Sequence, residues 1–174
     1  MNAGRVPAKT LGVSAAILAA WIASEGFAPK PEIPTKGDVP TIGHGATHYE
    51  DGRRVTMADP PITRQRAAEL AENLLEGTYA QCVRKSLGDT LIHPVEFAQA
   101  VDFAGQYGCY RWQQSSMARE TKAGNYSQAC DAYLLYRFAA GYDCSTLING
   151  LPNKRCWGVW DRQLQRNAKC EAVQ

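Results

Sequence analysis

Residues 24–45 read SEGFAPKPEIPTKGDVPTIGHG, and this stretch decides the fold. Its prolines and glycines recur too densely for a helix, so residues 26–60 are predicted to form turns and a small β-hairpin. An Asp51-Gly52 turn signal lies between two of the strand candidates, which are residues 41–42, 47–49 and 53–56.

The segment before this stretch carries no charge from residue 10 to residue 24, and its centre, residues 11–23, reads LGVSAAILAAWIA. A transmembrane helix needs about 20 strongly apolar residues, and this alanine-rich run is shorter and weaker. Because Arg5 and Lys9 precede it, the pattern is typical of a secretion signal, but no small-x-small cleavage site follows. Two interpretations stay open. One is a weak signal-anchor with its basic flank in the cytoplasm, and the other is an N-terminal core helix with residues 13, 17, 20, 21 and 24 roughly on one face.

The sequence after this stretch is predicted to be mainly helical. Thr63 is a plausible N-cap for a helix that runs to about residue 87, and Pro94 opens a helix that ends at Gly108. Shorter helices are expected at residues 112–122, 126–139 and 157–170.

Composition narrows the class of protein. The chain has 174 residues, 19 of them basic and 17 acidic, so its formal net charge is +2. That length suits one domain with a real core, and 45% apolar residues with 21% charged ones exclude a disordered or polytopic membrane protein. A near-neutral charge gives no electrostatic footprint for nucleic acid, so no nucleic-acid partner is expected.

The cysteines indicate the compartment. All six lie after residue 81, at positions 82, 109, 130, 144, 156 and 170, and no C-x-x-C pair suggests a zinc site. An even number without metal spacing favours disulfides and an oxidising compartment such as the periplasm, although the sequence does not choose among the pairings. The alternative is a set of buried free thiols in a cytosolic protein.

Candidate chemistry centres on Glu25, Asp38 and Thr41. A carboxyl group at the end of an apolar helix is expected to be partly desolvated, which suits it to donate a proton. A second carboxylate on an adjacent glycine-rich hairpin would stabilise an oxocarbenium-like transition state or orient water, and a threonine hydroxyl would help to hold that water. The plain structural alternative is that Glu25 ends a helix and Gly37-Asp38 is only a turn.

Five segments, in this order and spacing, resemble the phage lysozymes of glycoside hydrolase family 24, and most of all the signal-arrest-release endolysins of phages that infect Gram-negative bacteria. They are SEG (24–26), TIGHGATHYEDG (41–52), VDFAGQYGC (101–109), SSMARETKAGNY (115–126) and CWGVWDRQLQRNAKC (156–170). The resemblance implies an α+β, mainly α, lysozyme-like fold with a small β-hairpin lobe and a larger helical lobe. It also implies a signal-anchor segment over residues 1–24 that is able to become the first helix, followed by a catalytic domain over residues 25–174.

The family uses a Glu, Asp and Thr triad, which the resemblance carries to Glu25, Asp38 and Thr41. In many members the Asp lies six residues before the Thr, where this chain has Thr35. Asp38 lies three residues before Thr41 and is the assigned residue, with Glu32 as the fallback carboxylate.

The activity implied is that of a phage endolysin, which hydrolyses the β-1,4 bond between N-acetylmuramic acid and N-acetylglucosamine in peptidoglycan and so lyses the host cell. No cofactor or metal is expected, and the protein is expected to be a monomer. It would be exported to the inner membrane and periplasm of a Gram-negative host and held at the inner membrane by its N-terminal segment until release. Two other functions stay open: a lytic transglycosylase acting on the same bond, and a non-enzymatic, disulfide-stapled wall-binding protein.

Other residues invite further hypotheses. His44 and His48 lie four apart but in a glycine-rich hairpin, so a zinc site is not expected. The tryptophans at 112, 157 and 160 have the chemistry to stack on sugar rings, but 157 and 160 are predicted to be core residues. A C-terminal basic cluster is interpreted as the solvated face of the last helix, with Arg162 buried against an acidic partner; its members are Lys154, Arg155, Arg162, Arg166 and Lys169.

Overall fold

The structure, a computed structural model, describes residues 4–174. Its helices within that range are α1 (Ala15–Glu25), α2 (Arg64–Leu74), α3 (Gln81–Leu87), α4 (Pro94–Tyr107), α5 (Cys109–Gln113), α6 (Ser116–Ala123), α7 (Tyr126–Asp131) and α8 (Trp157–Glu171). Its strands are β1 (Val6–Pro7), β2 (Ala28–Glu32), β3 (Thr41–Gly43), β4 (Leu91–Ile92), β5 (Phe138–Ala139), β6 (Tyr142–Asp143), β7 (Leu147–Ile148) and β8 (Leu151–Pro152). The predicted class, mainly helical with a small β component, is confirmed.

The strands form four two-stranded antiparallel sheets, in which β1 pairs with β4, β2 with β3, β5 with β6 and β7 with β8. The chain divides into two compact units. The small unit comprises residues 12–82, and the large unit comprises residues 83–174 together with the described N-terminal residues 4–11. Residues 1–3 of the predicted 1–24 segment lie outside the described part of the chain.

Helix α1 opens the small unit. Ser14 caps it by accepting a hydrogen bond from the backbone N–H of Ile17 at 3.3 Å. Ile17 and Trp21, four residues apart on one face, are its buried side chains, whereas its alanines are exposed. No helix within residues 4–174 has the length and hydropathy needed to cross a membrane.

Residues 26–60, which are rich in proline and glycine, contain no helix, as predicted, and form the β-structure of the small unit. Strand β3 begins at Thr41 as expected, and the Asp51-Gly52 turn joins residues 48 and 54, which pair as an isolated bridge. Strand β2, which pairs with β3, was not predicted. It contains Pro29 and Pro31, which have no backbone N–H to donate to a neighbouring strand. The pairing with β3 is irregular between Ala28 and Glu32, which accommodates those prolines.

The core of the small unit joins these turns to helix α2. It contains the buried residues Ile42, Ala46, Val55 and Leu70, with Tyr49 and Ile62 packed against them. Thr63 caps α2 as predicted, accepting from the N–H of Arg66 at 3.1 Å. The expected single helix to residue 87 is instead interrupted by a widened π turn over Leu75–Ala80 before α3.

The N-terminal residues belong to the large unit. Arg5 is buried, its Nη2 lies 2.5 Å from Oε1 of Glu96, and its guanidinium stacks 3.7 Å from the ring centroid of Tyr126. Val6 and Pro7 then pair with Ile92 and Leu91. In the folded chain, therefore, Arg5, one of the cations of the predicted cytoplasmic flank, is buried in an ion pair with Glu96.

The helices of the large unit largely match their predictions. Helix α4 begins at Pro94 and stops before Gly108, whose φ of +86° ends it. Helix α8 carries Arg162 and Arg166, which both bind Asp102, with Nη2–Oδ distances of 2.6 and 2.5 Å. The predicted acidic partner of Arg162 is thus confirmed, whereas Arg166 is buried rather than part of a solvated face. Burial opposes ionisation of Asp102, but the two guanidiniums hold its pKa below the ordinary value.

Two regions of the large unit differ from the sequence predictions. The single helix expected at residues 112–122 is two helices, α5 and α6, which are separated by residues 114–115. The helix expected to reach residue 139 ends with α7 and a 3₁₀ turn over Ala132–Leu135, after which two short hairpins, β5–β6 and β7–β8, occupy residues 138–152.

The tryptophans also differ from their prediction. Trp157 and Trp160, which were predicted to be core residues, are only partly buried, whereas Trp112 is fully buried and donates a hydrogen bond to Ser86 at 2.8 Å.

None of the six cysteines, which all lie within the described residues, is free, so the prediction of disulfides is confirmed and the alternative of free thiols is wrong. Cys130 bonds Cys170, which ties α7 to α8, and Cys144 bonds Cys156 across the hairpin region.

Candidate active site

Glu25 is the last residue of α1, and the chain turns away at Gly26, whose φ is +72°. The helix is held in the small unit by its two buried side chains, Ile17 and Trp21. Glu25 itself is exposed, so the partial desolvation expected from the sequence is not observed. An exposed carboxyl group on a fixed helix end is accessible to a polymeric substrate.

The turn after β3 lies beside this carboxyl group. Ile42 and Ala46 exchange two backbone hydrogen bonds, of 2.9 and 3.0 Å, around the residues between them. Within that turn Gly45 has a φ of +85°, and a Cβ placed on it would lie 3.8 Å from Oε2 of Glu25. The structure thus brings together the helix end and the glycine-rich turn that the sequence singled out.

His44, in the same turn, is buried and holds the helix end. Its Nδ1 donates to the carbonyl oxygen of Gly26, and its ring lies 5.7 Å from that of Phe27. Its own carbonyl oxygen accepts from Nε1 of Trp21 at 3.4 Å. His44 is therefore a structural residue next to Glu25 and not an exposed sugar contact, and only its position in the TIGHG motif signalled it.

Thr41 begins β3 and pairs directly with Glu32 on β2. Directly opposed residues of an antiparallel pair project their side chains from the same face. The Thr41 hydroxyl also donates to the backbone carbonyl of Glu32 at 3.4 Å. The fallback carboxylate is accordingly the cross-strand neighbour of the candidate threonine.

Asp38 lies in the connection between these strands. Its N–H donates to the carbonyl of Thr35 at 2.9 Å and closes a turn with Gly37 at the third position, where a φ of +97° requires glycine. Asp38 and Glu32 are both exposed. Both carboxylates therefore flank the start of β3, one through the loop and the other through the sheet.

Tyr79, on the widened turn after α2, was missed by sequence reasoning. Its ring centroid lies 5.9 Å from that of Trp21. Burial raises the pKa of its phenol, and the negative charge of Glu25 raises it further. The protonated phenol of Tyr79 thus lies near the end of α1 that carries Glu25. No sequence motif predicts this position, because it depends on the π turn over Leu75–Ala80.

The histidines and acids do not assemble a metal site. Among residues 4–174 no three His, Cys, Asp or Glu side chains cluster as potential ligands of one ion. His48 is exposed and shares a 2.9 Å hydrogen bond with Thr47.

Comparison with known proteins identifies the family. Residues 23–157 match the family model described as phage lysozyme. The chain belongs to the phage lysozyme family. It is thus a glycosidase of the lysozyme type, and its substrate is peptidoglycan. None of the curated proteins matches it significantly.

Solved structures share the fold of this phage lysozyme. A mutant of P22 lysozyme is 22% identical with a TM-score of 0.72, covering 92% of this chain and 99% of that one. The endolysin from Escherichia coli O157:H7 phage FAHEc1 is 20% identical with a TM-score of 0.72, covering 94% and 96%. The muramidase domain of SpmX from Asticaccaulis excentricus is 20% identical with a TM-score of 0.64, covering 92% and 95%.

Proposed function

We propose that this phage lysozyme is an endolysin that hydrolyses the β-1,4 bond between N-acetylmuramic acid and N-acetylglucosamine and thereby lyses the host cell. Glu25 protonates the glycosidic oxygen as the bond to the sugar breaks. Asp38 and Thr41 position the water that attacks the sugar, and the Asp38 carboxylate, which stabilises the oxocarbenium-like transition state, accepts the proton that this water releases.

The position of Glu25 carries this proposal. Its carboxyl group is exposed on a fixed helix end, next to a glycine without a side chain, where a polysaccharide is able to approach closely. His44 and Trp21 support this helix end through hydrogen bonds to the backbone, and such support favours the fixed geometry that proton transfer requires. The family match, which includes residues 23–157, supports the same reaction class.

The acid is tested with Glu25→Gln, which keeps the shape of the side chain and removes its proton chemistry. We expect loss of clearing of chloroform-treated Gram-negative cells, with the melting temperature unchanged. Glu72→Gln is the matched control, because Glu72 is also exposed and lies in the same unit. Clearing at the normal rate by the Glu25 variant would remove Glu25 from the mechanism.

The second carboxylate is tested by comparing Asp38→Asn with Glu32→Gln. We expect Asp38→Asn to reduce clearing at least about a hundredfold, a loss of the size that one positioned catalytic group contributes. Glu32→Gln is expected to retain most activity. The reverse ranking would move the role to Glu32, the cross-strand neighbour of Thr41.

Mass spectrometry of the digestion products separates hydrolysis from the transglycosylase alternative. Reducing muramic acid ends are expected, whereas 1,6-anhydro ends would establish the transglycosylase reaction. A wall-binding protein without activity would sediment with sacculi and leave their turbidity unchanged.

The proposal extends to location and control. Residues 1–24 act as a signal-anchor that carries the chain to the inner membrane, from which it is released as a monomer into the periplasm, where it is bacteriolytic. Glu25 directly follows that segment, and α1 packs through Ile17 and Trp21 in the folded unit. Likewise, Arg5 is paired with Glu96 in the folded protein, a contact that a chain with a cytoplasmic Arg5 does not make. The tethered form is therefore inactive because it lacks the fixed helix end.

A further inference from the structure

The β7–β8 hairpin carries exposed apolar side chains on both of its faces. Leu147 pairs with Pro152, and Ile148 pairs with Leu151. Successive residues of a strand point to opposite faces, so the two pairs face opposite ways. Yet the exposed fractions are 59% for Leu147, 57% for Ile148 and 64% for Leu151. We call residues 147–152 the tip.

The tip is built as a fixed projection and not as a loose loop. Asn149 and Gly150 turn it with φ values of +53° and +76°, the pattern of a tight two-residue hairpin turn. An isolated two-stranded hairpin is marginal in water, and this one is closed at its base by the Cys144–Cys156 disulfide. Buried Asn153 adds a backbone hydrogen bond to the carbonyl of Thr146 at 3.3 Å.

Aromatic and cationic side chains lie beside the Cys144–Cys156 disulfide that closes the base of the tip, on the β5–β6 hairpin and at residues 154–155. Phe138 and Tyr142 are 57% and 46% exposed, and the guanidinium of Arg155 lies 4.1 Å from the Tyr142 ring centroid. Residues 137–156 contain three basic side chains and one acidic one, Asp143, which Arg137 already neutralises at 3.2 Å. This segment alone thus carries a net charge equal to the +2 of the whole chain.

We propose that the tip inserts into the interfacial layer of an anionic lipid bilayer. A partner protein with a flat surface would cover only one face of the hairpin, whereas a lipid layer surrounds both. Aliphatic side chains at the end, aromatic rings behind them and cations at the base follow the polarity gradient of an anionic membrane surface. Insertion is shallow, since a two-stranded hairpin has unpaired backbone groups on both edges that must stay among headgroups and water.

The tip residues belong to the large unit, whereas the candidate active-site residues all lie in the small unit. The tip also shares no residue with the proposed N-terminal anchor, residues 1–24. Through the tip the released enzyme would stay at an anionic membrane surface while digesting the adjacent wall. The inference does not depend on the catalytic assignment of Glu25.

The test is co-sedimentation of the full-length purified protein with vesicles of phosphatidylethanolamine and phosphatidylglycerol, and with vesicles of phosphatidylcholine alone. The tip variant combines Leu147→Thr, Ile148→Thr and Leu151→Thr, which keep a strand-compatible residue at each site. The control variant removes scattered exposed apolar side chains by Met57→Gln, Tyr110→Gln and Leu164→Gln. Digestion of purified sacculi and the melting temperature report that each variant is folded.

We expect the wild type and the control to bind anionic vesicles, and the tip variant to lose more than about tenfold in partition coefficient while still digesting sacculi. Replacing Lys154 and Arg155 with Gln is expected to abolish the preference for anionic lipid. Equal binding by the tip variant and the wild type would overturn the proposal. So would a tip variant that loses binding to sacculi but not to vesicles, since the tip would then recognise the wall.

Discussion

Nδ1 of His44 donates a hydrogen bond to the carbonyl oxygen of Gly26, the residue that follows Glu25. The bond joins the turn after β3 to the end of α1, and the Trp21 indole returns a second bond to the carbonyl of His44. A buried side chain of the hairpin thus fixes the backbone beside the proposed acid. The TIGHG turn and the SEG helix end are thus joined within the small unit.

His44→Ala is therefore expected to slow clearing about tenfold, because it frees the helix end that presents Glu25. It also removes the hydrogen bond to the Gly26 carbonyl, a net loss of about 0.5–1.5 kcal/mol of unfolding free energy because Gly26 is exposed to water. His44→Asn, whose side-chain amide is also an N–H donor, should recover part of both losses. Cell clearing and thermal unfolding measure the two effects. Equal losses in the Ala and Asn variants would show that the donor is not what matters.

Gly45 and Gly52 offer a matched test of the space beside Glu25. Their φ values, +85° and +82°, impose the same backbone strain on any alanine, about 1–2 kcal/mol. Only at Gly45 would the added methyl group meet Oε2 of Glu25, at 3.8 Å, whereas nothing lies within 4 Å at Gly52.

Gly45→Ala and Gly52→Ala should accordingly lose similar stability, but only Gly45→Ala should lose activity, by about tenfold or more. Initial clearing rates and melting temperatures of the two variants provide the comparison. If activity fell equally in both, the loss would follow from backbone strain and not from the methyl group in the space beside the carboxyl group.

The helix ends were predictable from sequence because local chemistry determines them. Thr63 caps α2 and Pro94 starts α4 through their own side chains, and Gly108 ends α4 with a positive φ that its type permits. Thr41 at the start of β3 followed from the same local rules and from the resemblance.

What was not predictable depends on residues distant in sequence. Strand β2 contains two prolines and forms only because β3 lies beside it. Tyr79 reaches the neighbourhood of Trp21 because the helix widens over Leu75–Ala80, which no hydrophobic period marks. The burial of Arg166 requires the Asp102 carboxylate, 64 residues earlier in the chain.

Asp59 is predicted to make the small unit sensitive to acid. Its carboxylate accepts hydrogen bonds from the Thr56 N–H, Arg53 and the Tyr49 hydroxyl at 2.9–3.0 Å. These bonds, that from Thr56 first, lower the pKa of Asp59 from 3.8 to about 2. Because the folded-state pKa is depressed, the stabilisation is present above about pH 4 and is lost as pH falls toward 2.

Melting temperatures of the wild type and Asp59→Asn, measured from pH 7 to pH 2, test this. The wild type should be more stable by a constant margin above pH 5, and the margin should shrink between pH 4 and pH 2. A margin that is independent of pH would assign the effect of Asp59 to packing and not to its charge.

The signal-anchor hypothesis is testable without disturbing the fold. Ala16, Ala19 and Ala23 are exposed on α1, so leucines there leave its buried face unchanged, whereas a side chain at Gly12 would press on Glu76. Each leucine favours membrane insertion by about 0.3–0.6 kcal/mol near a segment's centre. The triple leucine variant should therefore stay in the membrane fraction and delay host lysis several-fold, while the purified protein digests sacculi normally.

The control variant has leucines at the exposed Ala58, Ala123 and Ala168, which add the same hydrophobicity elsewhere in the chain and should leave lysis timing unchanged. Normal timing with the α1 variant would mean that the segment does not control release.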